Sequence, residues 1–290
     1  MAEKITRRSF IKKTTVGTLG TIATAYGGYY YAHDVEPFWL KTISNNIKSH
    51  RIPTEFNDFK IVQFTDTHIG FQYRNKDLKK LINAIQNQQP DLIVFTGDLT
   101  DDPSLVSNDK FEEIVHELSR LEAPYGKYWI YGNHDHGGYG TNTILDVMNQ
   151  SGFSLLMNET EQITVDEQHI NLSGLDDILL GNPSLEGLVS HDEASFNILL
   201  CHEPDYADEV VDYPFDLQLS GHSHGGQVQI PFYGYVVTPT LGQKYVEGKH
   251  TLGNRPLQLF TSRGVGTTRL PFRFLCRPEI NVFTLISESI

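Results

Sequence analysis

Five short runs rich in aspartate, asparagine and histidine contain the residues whose types and spacing could do chemistry. Each run lies where a predicted strand ends. Their carboxylate, amide and imidazole groups, with no thiolate among the ligands, suit Mn²⁺, Fe or Zn²⁺. Together they offer enough ligands for two adjacent divalent metal ions, an arrangement that cleaves phosphoesters. In chain order the runs are Asp66-Thr67-His68, Gly97-Asp98, Gly132-Asn133-His134-Asp135, Cys201-His202-Glu203 and Gly221-His222-Ser223-His224.

The first half of the chain alternates predicted strands with predicted helices. Strands are expected at 60–65, 91–96 and 127–131, and amphipathic helices at 77–89 and 111–121. This β-α-β-α-β order predicts a largely parallel sheet, because such crossovers return the chain in the same direction. Ligand sites in open α/β sheets gather at the carboxyl ends of the strands, where the polar runs lie.

The second half contains short apolar runs separated by turn residues, which predict a second, more antiparallel sheet. The predicted architecture is therefore α/β, with two sheets face to face and helices outside. Both halves contribute ligands and no linker separates them, so we expect one domain over 59–290. It follows a lead-in over 33–58 with a short strand near 42–48. The runs of the second half are 153–156, 162–165, 170–174, 196–201, 217–220, 228–230, 257–261 and 280–285.

Charge limits the choice of partner. The formal net charge is −13, and residues 1–32 carry +4, so the remainder is at −17. An acidic body of this kind makes nucleic acid a poor partner, but it does not repel metal cations. The two cysteines do not make a disulfide framework. Because side chains alternate along a strand, Cys201 should point away from any site that His202 enters.

The N-terminal segment, residues 1–32, resembles a twin-arginine export signal. Thr6-Arg7-Arg8-Ser9-Phe10-Ile11-Lys12 has the paired arginines with the expected flanking residues, and an uncharged stretch follows over 14–32. The alternative is a basic amphipathic or disordered N-terminus. Leu, Ile and Val are too few to predict a membrane span. We expect export by the twin-arginine translocase to the cell wall or the extracellular face of the membrane, with cleavage near Ala23-Thr24-Ala25 left open.

The five runs match the pattern D-x-H, GD, GNH, H and GH-x-H in full and in order, and the chain resembles the calcineurin-like metallophosphoesterase family from about residue 59 onward. The resemblance implies a four-layer αββα sandwich of two mixed β-sheets flanked by helices. It also implies that His134 is the general acid and that Asp101 is the acid that orients it. By matching position, Asp66, His68 and His224 would hold the first metal, Asn133, His202 and His222 the second, and Asp98 would bridge both.

A closer resemblance is to the exported, cell-wall-associated YkuE-type branch of this family. It rests on residues 131–140, residues 219–227 and Thr268-Arg269-Leu270-Pro271. Phosphoprotein phosphatases of the superfamily have arginine where this chain has Asp102, which argues against phosphoprotein substrates. The implied reaction is hydrolysis of phosphomonoesters or phosphodiesters by a hydroxide that bridges two metals.

Two other functions remain open at this stage. One is a pyrophosphatase acting on a nucleotide-sugar lipid similar to UDP-diacylglucosamine. The other is a non-catalytic metal-binding protein of the cell wall, which the intact ligand set disfavours. Three aromatic stretches, 71–73, 232–235 and 272–274, are interpreted as core or loop packing. The alternative is an apolar rim that admits a lipid tail or docks on a membrane.

Overall fold

The computed structural model describes residues 6–136, 141–188 and 194–288. Within that part the helices are α1 (Arg7–Tyr30), α2 (Asn75–Gln86), α3 (Asn108–Leu118), α4 (Thr141–Gln150) and α5 (Ala207–Val210). The strands are β1 (Lys41–Ser49), β2 (Lys60–Phe64), β3 (Leu92–Phe95), β4 (Lys127–Trp129), β5 (Ser154–Leu155), β6 (Glu159–Val165), β7 (Gln168–Gly174), β8 (Asn197–Leu200), β9 (Leu217–Ser220), β10 (Gln229–Ile230), β11 (Gly234–Tyr235), β12 (Gly248–Leu252), β13 (Leu257–Thr261) and β14 (Glu279–Ser287).

The first large sheet has the strand order β1-β14-β2-β3-β4-β5. The pairs from β2 through β5 are parallel, which confirms the direction predicted for the first half of the chain. Strand β14 runs antiparallel to β2, and β1 pairs parallel with the outer side of β14. The C-terminal strand therefore lies inside the sheet that the N-terminal half begins.

The second large sheet has the order β12-β13-β9-β8-β7-β6. Its three inner pairs are parallel and only its two edge pairs are antiparallel. The first sheet has one antiparallel pair, so the second sheet is the more antiparallel of the two, as predicted, although its centre is parallel. The chain returns between β8 and β9 through the short helix α5, so both strands run the same way. Two runs assigned to this sheet, β5 and β14, belong to the first sheet instead, and a third, β10, pairs only with β11 in a separate hairpin.

Alternating side chains of the strands build the layers. On β2, Val62 packs with Leu78 of α2 and Ile114 of α3 in the cluster on the helical face of the first sheet. The neighbouring Ile61 joins Leu172 of β7 in the cluster between the two sheets. A third cluster covers the other face of the second sheet. The predicted α/β arrangement, two mixed sheets face to face with helices outside, is confirmed.

The lead-in over 33–58 is part of the folded body. It supplies the edge strand β1, and Ile47, Ile52 and Phe56 are buried between the sheets. Helix α1, in contrast, has no buried residue. Among the described helices, none combines the length and the apolar character needed to cross a membrane.

Candidate metal centre

The predicted ligands follow the carboxyl ends of strands from both sheets. Asp66 and His68 come directly after β2, and Asp98 comes after β3. Asn133 follows β4, His202 follows β8, and His222 and His224 follow β9. Parallel neighbours end at the same edge of a sheet, so these loops meet where the two sheets face each other.

Backbone strain is concentrated on these residues. Five of the seven predicted ligands have a positive φ, between 42° and 68°. Side chains other than glycine seldom adopt this left-handed region, and such conformations persist where the surrounding structure enforces them. The loops thereby turn their side chains toward one point. The five are Asp66, His68, Asp98, His222 and His224.

Two glycines of the motifs let the strand-end loops approach each other. A Cβ atom at Gly132 would lie 2.3 Å from Oδ1 of Asp98, and one at Gly221 would lie 2.3 Å from Oδ2 of Asp66. Both distances are shorter than any non-bonded contact, so a side chain at either position would displace a predicted ligand. The requirement for glycine here is therefore steric.

The side chains form two groups of buried residues, each able to hold a metal ion, and a third group that overlaps both. Asp66, His68 and His224 make up one group and Asp98, His202 and His222 the other. The third consists of His68, Asp98 and His134, and within every group the ligand atoms lie within 4.8 Å of one another. Oδ2 of Asp98 lies 3.4 Å from Nε2 of His68 and 3.3 Å from Nε2 of His202. The carboxylate of Asp98 thus lies between the two groups.

Hydrogen bonds to backbone carbonyls fix which imidazole nitrogens carry lone pairs. Nδ1 of His202 lies 2.6 Å from the carbonyl oxygen of Thr96, and Nε2 of His222 lies 2.8 Å from that of Thr240. A carbonyl can only accept, so each of these nitrogens donates its proton. When each ring is neutral, its opposite nitrogen therefore faces the site with a lone pair, as a metal ligand requires.

Two polar atoms are buried without a hydrogen-bond partner at this point. They are Oδ1 of Asn133 and Nε2 of His202. Buried polar atoms are nearly always paired, and an acceptor pair left open in a cluster of carboxylates and imidazoles fits a cation. The donor set, oxygen and nitrogen without sulfur, fits two divalent metal ions such as Mn²⁺, Fe or Zn²⁺.

The electrostatics of the cluster also call for added positive charge. Burial lowers the pKa of His68, but the carboxylates of Asp101 and Asp98 outweigh it and raise that pKa to about 9. Burial and the charge of His202 lower the pKa of His222 to about 3. Protons on some imidazoles thus balance the buried carboxylates, and divalent cations can take their place.

His134 lies at the edge of this cluster, with its side chain one quarter exposed. Its ring stands 4.7 Å from the ring of His68, edge to face. Nδ1 lies 2.6 Å from the backbone carbonyl of Asp101 and donates to it, so Nε2 is the nitrogen left for the site. The ring is therefore oriented by a main-chain group.

Asp101 was predicted to orient His134, but its carboxylate is hydrogen-bonded to His68 and Thr268. Oδ1 of Asp101 accepts from Nδ1 of His68 at 3.0 Å and from the hydroxyl of Thr268 at 2.7 Å. It is 4.0 Å from Nδ1 of His134, beyond hydrogen-bonding distance. The carboxylate thus sets the orientation of a predicted ligand, while the carbonyl of the same residue holds His134.

Asp135, the last residue of the third polar run, fits either a turn or a supporting role by its position in the sequence. Its carboxylate is buried and accepts from the backbone N–H groups of Asp98 at 2.6 Å and of Leu99 at 2.8 Å. Burial, together with the charge of Asp98, raises its pKa to about 7. Asp135 thereby fixes the loop that carries Asp98. Its position directly after the GNH run was the available signal.

Cys201 and His136 lie in the surroundings of the cluster. Cys201 is buried in the cluster on the outer face of the second sheet, so it points away from the site as predicted. His136 contacts Asp176 at 2.9 Å, which places the loop at 176 beside the site. Residues 137–140 of the stretch shared with the YkuE-type branch lie outside the described residues.

A cavity of about 260 Å³ opens directly beside the cluster. Asp98, Asn133 and His134 form its polar end. Its other walls are mainly apolar, and they include Val236, Val237, Pro239 and Leu270, with Arg269 beside them.

Comparison with known proteins agrees with this geometry. The family model for calcineurin-like phosphoesterases matches residues 59–226. YkuE of Bacillus subtilis, named an uncharacterised metallophosphoesterase, is 46% identical over 99% of this chain and 100% of its own length. The phosphodiesterase YaeI of Escherichia coli is 29% identical over 97% and 100%. LpxG of Chlamydia muridarum, named a UDP-2,3-diacylglucosamine pyrophosphatase, is 25% identical over 95% and 98%.

A fold of two mixed sheets with acidic and histidine ligands at the facing strand ends defines a metal-dependent phosphoric ester hydrolase. The chain belongs to the calcineurin-like metallophosphoesterase family.

Proposed function

We propose that this hydrolase acts outside the cytoplasmic membrane, on phosphomonoesters or phosphodiesters small enough to reach the metal centre. The observation that carries the proposal is the pair of ligand groups joined at Asp98, with His134 beside them at the cavity. The twin-arginine pattern at Arg7 and Arg8 supports export.

The residues of the chain have distinct tasks in this reaction. Two divalent cations bound here would supply an activated water and offset the charge that develops on the phosphoryl oxygens. Asp66, His68 and His224 would hold one cation and Asn133, His202 and His222 the other, with Asp98 between them. His134, in its protonated form, would give a proton from Nε2 to the leaving oxygen.

The test of the activity is turnover of chromogenic phosphomonoesters and phosphodiesters by the full chain loaded with Mn²⁺. Hydrolysis that disappears when the metals are chelated and returns when Mn²⁺ is added is the expected result. A chain that retains two metal ions per molecule by elemental analysis and turns over neither class would overturn the proposal. The remaining candidates would then be the non-catalytic metal-binding protein and the pyrophosphatase described below.

Export has a separate test. A double substitution of Arg7 and Arg8 by lysine keeps the charge but removes the paired arginines. In a cell with an active twin-arginine translocase, the native chain should reach the cell wall or the outer face of the membrane. The substituted chain should accumulate in the cytoplasm. Equal distribution of the two chains would contradict the proposed route.

A second candidate keeps the chemistry and changes the substrate to a pyrophosphate-linked lipid. The specific observation in its favour is the apolar wall of the cavity formed by Val236, Val237 and Leu270. Such a wall fits an acyl chain better than a sugar or a nucleotide. Comparison of a detergent-solubilised nucleotide-sugar lipid with a soluble phosphodiester, on the same metal-loaded protein, distinguishes the two candidates.

A further inference from the structure

The hairpin formed by β10 and β11 presents large apolar side chains to solvent. Phe232 at its tip is fully exposed, and Tyr233 is 76% exposed. Ile230, Tyr235 and Val236 are also exposed along the same hairpin. A contiguous exposed apolar patch of this kind marks an interaction surface in a soluble protein.

This hairpin is held firmly on the body. The backbone N–H of Gln229 donates to the carbonyl of Phe274 at 2.9 Å, and its side chain donates to Glu247 at 2.7 Å. The ring-bearing Cβ of Tyr235 occupies the space that a side chain at Gly226 would need. The fold therefore holds the aromatic tip outward in a fixed position.

The hairpin is continuous with the base of α1. Phe274, which bonds to the hairpin, packs its ring 6.2 Å from that of Tyr31, just after α1. Phe272 packs 5.5 Å from Tyr29 in the last turn of α1. The stretch from 14 to 30 of this helix has no charged residue and is exposed throughout. The segment that contains Phe272 and Phe274 thus contacts both the hairpin and the end of α1, two exposed segments without charged residues.

Charge distinguishes this part of the chain from the rest. Residues 217–278 contain seven basic residues and one acidic residue, a net charge of +6 within a chain at −13. Lys244 and Arg263 are paired with acids and Arg273 is buried, but Arg269 makes no ion pair among the described residues. Arg269 and Leu270 are both exposed and line the cavity. An exposed arginine without an acidic partner, beside exposed apolar side chains, complements anionic lipid headgroups.

From these observations we infer that the hairpin tip, Phe232 and Tyr233, inserts into the interface of an anionic lipid bilayer, with Arg269 facing the headgroups. Tyrosine and other aromatic rings are favoured at this level of a membrane. The mouth of the metal centre would then face the bilayer. This inference goes beyond the proposed phosphoesterase activity and does not depend on it.

The first experiment places a fluorescent reporter at the hairpin tip of the full chain. Cys201 and Cys276 are buried, so an environment-sensitive label on Phe232→Cys is selective. With vesicles of phosphatidylglycerol and phosphatidylcholine, its emission should shift to shorter wavelength. The matched control is the same label on Leu105→Cys, since Leu105 is 83% exposed and lies outside both the hairpin and the cavity lining. That label should not shift.

The second experiment measures vesicle binding by sedimentation. The double substitution of Phe232 and Tyr233 by aspartate should lower the fraction of unlabelled protein that sediments with the vesicles. Leu105→Asp should leave that fraction unchanged. The double variant and Leu105→Asp should hydrolyse a soluble phosphodiester at the same rate as the native chain, because neither Phe232 nor Tyr233 lines the cavity. Circular dichroism verifies folding independently of activity.

Three outcomes would overturn the inference. The first is an unchanged emission of the label at 232 on anionic vesicles, even if α1 alone brings the chain to them. The second is an equal shift at positions 232 and 105. The third is a shift that needs no lipid and grows with protein concentration, which would identify a second copy of the chain as the occupant.

Discussion

Asp98 is the side chain on which both metal positions depend. We expect Asp98→Asn to remove metal and activity together, because an amide offers one neutral oxygen where the carboxylate offers two charged ones. The measurement is metal content by elemental analysis beside turnover of a phosphodiester. The matched control is Asp102→Asn, since Asp102 accepts from Ser104 in a neighbouring turn and contacts no predicted ligand. Retention of two metals by Asp98→Asn would refute the bridging role.

His134 gives the opposite expectation. His134→Ala should keep the metals, since the ring of His134 lies at the edge of the cluster, but should lower kcat by roughly 10²–10⁴-fold. The loss should be greatest for esters with poor leaving groups, which need the proton most. A series of aryl phosphodiesters of different leaving-group pKa measures this. An equal loss across the series would argue against proton donation by His134.

Metal loading should release protons, and His68 gives the reason. Without metal its pKa is about 9, above the ordinary 6.5, so the imidazole is protonated near neutral pH. The stability it contributes in that state is present below 6.5 and is lost as the pH rises through about 9. A metal ligand must be neutral, so binding expels the proton and metal affinity should rise with pH up to about 9. Calorimetry in buffers of different ionisation enthalpy counts the protons; a binding heat that is the same in all buffers would contradict this account.

At the scale of elements, the loop between β13 and β14 depends on one buried guanidinium. Arg273 is fully buried and donates to the carbonyls of Arg263 at 2.8 Å, Gly266 at 3.1 Å and Cys276 at 3.1 Å. Arg273→Met would leave these acceptors unsatisfied and should lower the free energy of unfolding by about 2 kcal/mol or more. Urea unfolding measures it. Arg269→Met, on the same loop but exposed, is the control and should change it by less than about 0.5 kcal/mol.

The strand ends explain why so much of the site could be predicted from sequence. A buried apolar run followed by Asp66 or Asp98 can be recognised from a few neighbouring residues. A parallel sheet then places all such strand ends at one edge, so the local pattern also predicts that these residues lie close together. The pairing of Lys41 in β1 with Glu279 in β14 could not be read in this way. Those residues are far apart in the chain, and strand register carries no local signal across such a distance.

The two partners of Asp101 show a finer limit. Motif spacing placed Asp101 correctly beside His134, but it could not say which of its oxygens faces which ring. The loop after Asp98 turns the carboxylate to His68 and the carbonyl to His134. Because a backbone group orients His134, Asp101 can serve two rings at once. A sequence motif identifies side chains, but it does not show which backbone carbonyl accepts a hydrogen bond.

At the scale of the whole molecule, the distribution of charge along the chain differs from the distribution of the metal-ligand motifs. The acidic residues are concentrated outside 217–278, whereas the metal ligands come from both regions. The candidate metal site therefore takes ligands from the acidic remainder of the chain and from the basic segment 217–278. This asymmetry is readable from sequence, but the position of the aromatic hairpin beside the site is not, since it depends on contacts of Phe274 with Gln229.

The lead-in sets the true start of the folded body, and truncation tests this. Residues 33–58 supply β1, which pairs along its whole length with β14, together with the fully buried Ile47 and Phe56. A chain beginning at residue 59 would lose these core side chains and expose β14 as an open edge, a recognised route to aggregation. We expect it to be insoluble or to unfold at a much lower urea concentration than the full chain.

A chain beginning at residue 33 is the matched control. It lacks α1, from which no residue is buried, but keeps β1 and the carboxylate of Glu36, which accepts from the backbone N–H of Cys276 at 2.5 Å. Its unfolding midpoint should lie close to that of the full chain. If the chain from 59 unfolded at the same midpoint as the chain from 33, β1 would be an appendage. Since β1 is the only cover on the outer edge of β14 in the described structure, we expect the two midpoints to differ clearly.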